Sequence, residues 1–192
     1  MGLTRTTDAT TEPVSRDDLK AHLYIDDNDH DGWLDDTEKA ARNYVERFCR
    51  RQLVNATWTL TLDSFADPIK VPRPPLGSVT KINYIDTSGS TQTVSTSTYT
   101  VITDREPGEL VQSYGQTWPT PRAQPEAVTV TYVAGYGSAA THVPEMIRHG
   151  IKLLVGNWFE HRESVVVGSV SKQLEQSLTA ILWQYRVQDW NW

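Results

Sequence analysis

Two hydrophobic periods alternate along the chain. Between residues 33 and 48 the apolar or small positions Trp33/Leu34, Thr37, Ala40/Ala41, Tyr44/Val45 and Phe48 recur at helical spacing. Acidic residues crowd the start of this stretch and Arg47, Arg50 and Arg51 its end, as a helix dipole favours. A shorter helix is expected just before it. Ser15 can cap it with Asp18 as the partner of a capping box, Val14 and Leu19 sit at staple positions, and Leu19 and Leu23 share a face.

From Thr57 the period falls to two. Thr57-Trp58-Thr59-Leu60-Thr61-Leu62 alternates in the manner of a half-buried strand, and further strands are expected at 69–71, 79–85, 91–94, 99–102, 109–112 and 127–133. Pro72/Pro74/Pro75, Ser88-Gly89, Pro107-Gly108 and Pro119/Pro121 supply the turns between them. Helical spacing returns after Pro144 with Ile147, Ile151, Leu154/Val155 and Trp158, ending near Arg162. An apolar connector, 165–167, leads to a last helix marked by Leu174, Leu178, Ile181/Leu182 and Tyr185.

The order helix–helix, strands, helix–helix predicts an α+β protein. Its N- and C-terminal helices should pack as a helical bundle with an antiparallel β-domain inserted between them. The expected division is a disordered arm at 1–14, a helical domain at 15–55 and 141–186, a β-domain at 56–140 and an aromatic tail at 187–192.

Composition changes this picture little, but charge does. Hydrophobic residues make up 38% and charged ones 22%, the balance of an ordinary globular protein. The lone Cys49 rules out an internal disulfide and a cysteine metal cluster. No basic-then-apolar leader and no long apolar run is seen, so neither secretion nor a membrane partner is expected. Residues 1–40 hold four Lys/Arg against eleven Asp/Glu, whereas the rest is nearly balanced. Without a basic stripe, duplex DNA is not an expected ligand.

Three motifs carry possible chemistry. Residues 27–38 fit a calcium loop, with Asp27, Asp29, Asp31, Asp35 and Glu38 as oxygen ligands, Gly32 at the sharp turn and Trp33 offering its carbonyl. The competing reading is an acidic helix start with Asp29 or Asp31 as cap. It is favoured because no second loop exists and the helical period begins inside the motif; a calcium-binding interaction module stays as the alternative. Gly135-Tyr136-Gly137-Ser138-Ala139-Ala140 has dinucleotide-turn spacing but lacks a βαβ setting, so a plain loop is expected. The cluster from Asn157 to Glu163 includes His161 and could hold a carboxylate–histidine pair. No nucleophile, base and orienting group stand together, so no catalysis and no cofactor is expected.

Three of the seven tryptophans, Trp183, Trp190 and Trp192, fall in the last ten residues, where exposed aromatics mark an interface. Together with Tyr185 and Arg186 they form the expected partner surface.

Several segments in order carry a family resemblance. They are Ala40-Ala41-Arg42-Asn43-Tyr44-Val45-Glu46, Trp58-Thr59-Leu60-Thr61-Leu62-Asp63-Ser64-Phe65, Pro72-Arg73-Pro74-Pro75-Leu76-Gly77-Ser78-Val79 and Tyr132-Val133-Ala134-Gly135-Tyr136-Gly137. Trp158-Phe159-Glu160-His161-Arg162-Glu163, Val165-Val166-Val167-Gly168 and Ile181-Leu182-Trp183-Gln184-Tyr185-Arg186 complete the set. Over roughly residues 15–186 the chain resembles the head–tail connector (adaptor) proteins of long-tailed bacteriophages and gene transfer agents. The resemblance implies a structural virion protein without catalysis, assembled as a ring of about a dozen copies beneath the portal protein. Tail or head-completion proteins would be its other partners, and DNA would only pass through the channel. It also implies residence at the head–tail interface of the virion, with assembly in the host cytoplasm, and makes the portal the expected partner of the C-terminal aromatics. Such proteins are helical straight through the segment where this chain has Gly32, which favours the helix-start reading of the acidic loop.

Overall fold

The computed structural model describes residues 1–161 and 172–188. The chain forms two compact units, each built from two stretches of sequence. One comprises Met1–Thr10 and Asn55–Tyr136, the other Thr11–Val54 and Gly137–Trp192. The protein is of mixed α+β class, with antiparallel sheets in the first unit and helices in the second.

In the first unit, β2 (Ala56–Leu62) and β8 (Val128–Ala134) lie next to each other inside a five-stranded sheet, flanked by β1 (Gly2–Thr7) beside β2 and by β4 (Leu76–Ile85) and then β5 (Thr91–Thr93) beside β8. Ala56, Trp58 and Leu60 point to one face, as do Val128, Val130, Tyr132 and Ala134; the threonines between them take the other. The register Ala56↔Ala134 and Leu60↔Val130 brings these buried rows side by side. On the far side of β8, β4 (Leu76–Ile85) pairs with two irregularities, at Leu76/Ser78 and Val79/Lys81. Such bulges raise the twist of a strand. Strand β5 (Thr91–Thr93) closes this edge through a tight hairpin. The carboxylate of Asp86 accepts the N–H groups of Ser88 and Ser90, each at 2.9 Å, and Gly89 takes the left-handed conformation at φ 92°.

A second sheet, β3 (Ile69–Val71), β7 (Gly108–Gln112) and β6 (Tyr99–Ile102), adds Ile69, Val71, Leu110 and Tyr99 to the same core. At Gly108 a Cβ would stand 2.6 Å from the Leu76 side chain, so only glycine fits there. The Tyr132 hydroxyl, buried in this core, donates to the Pro72 carbonyl at 2.9 Å. Burial raises its pKa well above the phenol value.

The expected disordered arm at 1–14 is corrected. Residues Gly2–Thr7 form β1, an edge strand antiparallel to β2 with Leu3 opposite Leu60. Polar, threonine-rich sequence suggests disorder, yet β-branched threonine suits a strand, and an edge strand needs only one covered face. Pro13 and Val14, at the end of the same stretch, are also buried.

In the second unit, α1 (Arg16–Leu23) begins as expected. The Ser15 hydroxyl accepts the Asp18 N–H at 3.1 Å and Asp18 closes the box, while Val14 and Leu19 are both buried. Helix α2 (Asp31–Cys49) packs on α3 (Glu145–Glu160), and α3 on α4 (Lys172–Leu182), which ends in a 3-10 turn at Trp183–Tyr185. Leu34, Ala41, Val45 and Cys49 of α2 share a core with Ile147, Ile151, Leu154 and Trp158 of α3 and with Leu178 and Leu182 of α4. Each fully buried aliphatic side chain contributes about 1.5–3 kcal/mol. Gly150 allows the close approach of α4, because a Cβ there would lie 3.2 Å from Leu182. The expected apolar connector at 165–167 lies outside the described residues. Among the described residues no helix is long and apolar enough to cross a membrane.

Candidate interaction surfaces

Helix α2 organises both ends of the helical unit. At its C-terminus, Arg50 adopts a left-handed cap with its N–H donating to the Glu46 carbonyl. The buried Arg51 donates through Nε to the Tyr185 carbonyl, and the Cys49 carbonyl accepts the Val187 N–H at 3.0 Å. These two contacts pin the 3-10 turn and Val187 to α2. Cys49 itself is buried, its thiol pushed up to about 11, which keeps it protonated and unreactive.

Pinning leaves Trp183 projecting, 60% exposed. The Arg186 guanidinium lies 5.1 Å from the Trp183 ring centroid and 5.6 Å from that of Phe48. Stacking of this kind holds a cation in place at the surface. Of the expected interface residues, Trp183, Tyr185 and Arg186 therefore come together at one end of the unit. Trp190 and Trp192 lie outside the described residues. The tail expected to start at 187 is corrected by one residue, because Val187 is buried and bonded to α2. Sequence reasoning missed Phe48 and Arg51 as its supports; their place in the last turn of α2 was the available signal.

At the other end of α2 the acidic motif runs into the helix, and its carboxylates bond to neighbouring side chains and backbone. The helix starts at Asp31, so Asp31, Asp35 and Glu38 stand on helical turns. Asp31 pairs with Lys20 at 2.5 Å and Arg16 at 3.1 Å, and Asp35 accepts the Arg16 Nε at 2.8 Å. The Arg16 pair draws the Asp35 carboxyl below its ordinary value. Asp27 instead accepts the Asp29 N–H at 3.1 Å. His30 occupies the cap position, without a side-chain hydrogen bond, where Asp29 or Asp31 was expected.

Glu38, cast as the bidentate ligand, is turned inward. It is 4% exposed and accepts the Val14 N–H at 3.3 Å. Burial, with Glu12 nearby, pushes its pKa up to about 8, so it is protonated at neutral pH. The signal was present in the sequence: Glu38 follows Leu34 by four and precedes Ala41 by three, on the buried face. Among the described residues no group of three or more His, Cys, Asp or Glu could hold a metal ion.

The catalytic candidates resolve into local structure. His161 Nδ1 meets the Asn157 carbonyl at 3.0 Å rather than a carboxylate, while Glu163 lies outside the described residues. Gly135 donates to the Pro75 carbonyl at 2.9 Å, within a loop that leaves β8.

Beside the acidic motif, α1 and α3 enclose a groove of about 490 Å³. Leu23, Leu153, Gly156 and Phe159 give it apolar walls, and Tyr24 and Glu160 stand among its lining residues. Phe159 is fixed edge-on by Trp33 and His30, each with a centroid distance of 5.5 Å.

Three chains of solved structure share the fold. They come from the virion of a native gene transfer agent particle (TM-score 0.79, 16% identity), the neck of an empty particle computed with C6 symmetry (0.80, 18%) and the neck of a native particle computed with C12 symmetry (0.76, 18%). Each alignment covers 100% of this chain and 98% of the other. No curated protein matches the sequence. The profile of the Phage gp6-like head-tail connector protein family matches residues 16–105, from α1 into the β-unit. This match and the shared fold agree with the resemblance read from the sequence. Nothing in the match or the geometry favours the calcium alternative.

Proposed function

We propose that the protein acts in the virion as one subunit of a ring of about twelve copies beneath the portal protein. The ring joins head to tail and lets DNA pass. The observation that carries this reading is the fold shared over the whole chain with a chain in the neck of a native gene transfer agent particle computed with C12 symmetry. The helices at the two ends of the sequence act as one bundle that carries the β-unit. The C-terminal segment with Trp183, Tyr185, Arg186, Trp190 and Trp192 anchors each subunit to its neighbours in the neck, and the tail end bearing Trp190 and Trp192 reaches the portal. Tail or head-completion proteins bind the opposite side of the ring, and subunits gather in the host cytoplasm before joining the head. The acidic balance of residues 1–40 gives phosphate no foothold, so DNA slides past.

Particles assembled without this chain should stop as filled heads lacking tails, and purified protein should restore tail joining. Tailed particles formed in its absence would overturn the reading, as would submicromolar duplex binding with a steep salt slope.

A further inference from the structure

The two ends of the helical unit are complementary in charge and in shape. Helix α2 has 19 residues and so holds its ends roughly 27 Å apart. At the C-terminal end stand exposed Arg47 and Arg50, with Arg186 stacked against the projecting Trp183. At the N-terminal end Glu160 and His22 line the groove with Leu23, Gly156 and Phe159, and exposed Asp26, Asp27 and Asp29 lie on the short stretch between its Tyr24 and His30, which meets Phe159. Asp31 and Asp35 already pair with Arg16 and Lys20, so the outward charge is that of the other carboxylates. Tyr24, at 92% exposure, lies beside the groove and leaves a large aromatic face uncovered.

A projecting indole beside arginines at one end and an apolar groove beside an acidic segment at the other cannot meet within one copy. A closed ring requires such a pair, since each subunit must present two different patches that fit each other. We infer that the groove beside α2's N-terminus receives Trp183 of the next copy, with Arg186, Arg47 and Arg50 of that copy facing the aspartates. This rests on the ring reading above and assigns the contact between copies within it. The groove volume accommodates an indole, and aromatic and arginine side chains are those that dominate interfaces. The tail beyond Gln188 is then free to serve a different partner.

The test is cross-linking between copies in assembled particles. Two single variants, Tyr24→Cys and Trp183→Cys, are mixed in equal amounts, supplied to heads lacking the chain, and oxidised mildly. The native Cys49 is buried and should not compete. A reducible dimer that forms only in the mixture, in most of the copies able to pair, is the expected result. Rings seen on the particles by electron microscopy without such a dimer would overturn the inference and leave the ring reading standing. Particles that take up the protein without any ring would remove the ring reading itself. Independently, Arg47→Glu with Arg186→Glu should reduce incorporation at least tenfold, and Asp26→Lys with Asp29→Lys should restore it. A charge reversal without loss, or a loss without rescue, counts against the pairing.

Discussion

The buried carboxyl of Glu38 gives the sharpest handle on the helical unit. Its unfolded value is 4.5 and its folded value about 8, so the folded protein holds one more proton across that window. Stability conferred by that proton is present below pH 4.5 and is lost as pH rises through 8. Ionisation places a charge among Glu12, Arg42 and Asp35, at a residue 4% exposed. The full shift at neutral pH would correspond to roughly 3 kcal/mol. Glu12, with a side chain 23% exposed, lets solvent screen the site, which leaves on the order of 1–2 kcal/mol. Glu38→Gln keeps an oxygen for the Val14 N–H and removes the charge. Chemical denaturation followed by tryptophan fluorescence at pH 5 and pH 8 should find the variant close to the parent at pH 5 and more stable by about 1–2 kcal/mol at pH 8. A gap that does not widen with pH, or a variant less stable at pH 8, would refute the reasoning.

Three other outcomes are expected of the same structure. Removing residues 187–192 should lower stability by about 2 kcal/mol through loss of buried Val187, whereas removing 189–192 should leave the melting temperature unchanged; equal melting of both truncations would contradict the pinned tail. Gly108→Ala should destabilise the β-unit by about 1–3 kcal/mol, read by denaturation, because its methyl would collide with Leu76; an unchanged midpoint would show that the core gives way. Calcium titration by calorimetry should show no saturable site tighter than about 10 micromolar, and a micromolar isotherm abolished by Glu38→Gln would reverse the assignment of the acidic motif.

The elements legible in the sequence are those with a strong local period or cap. Alternation in 57–62 and 127–133 locates the two central strands, because both bury a single face. The Ser15–Asp18 box locates the start of α1. What local patterns do not encode is pairing. Nothing in Gly2–Thr7 reveals that β2 lies beside it, and so an edge strand reads as an arm. Glu38 is ambiguous for a related reason. A regular spacing of oxygens fits a calcium loop, but the same residue occupies a core position of a helix, and the helix prevails once Leu34 and Ala41 are buried. At the C-terminus, Trp183 and Arg186 are legible as surface groups, whereas the groove beside α2 is not. Its walls come from α1 and α3, far apart in sequence.

The central claim is that this chain forms the connecting ring of a particle neck. Electron microscopy of the purified protein mixed with its portal tests it most directly. A continuous ring of about twelve copies seated on the portal is expected, with density for the segment beyond Gln188 reaching the portal surface. Portals that remain bare at high protein concentration, or protein bound as scattered single copies, would contradict it.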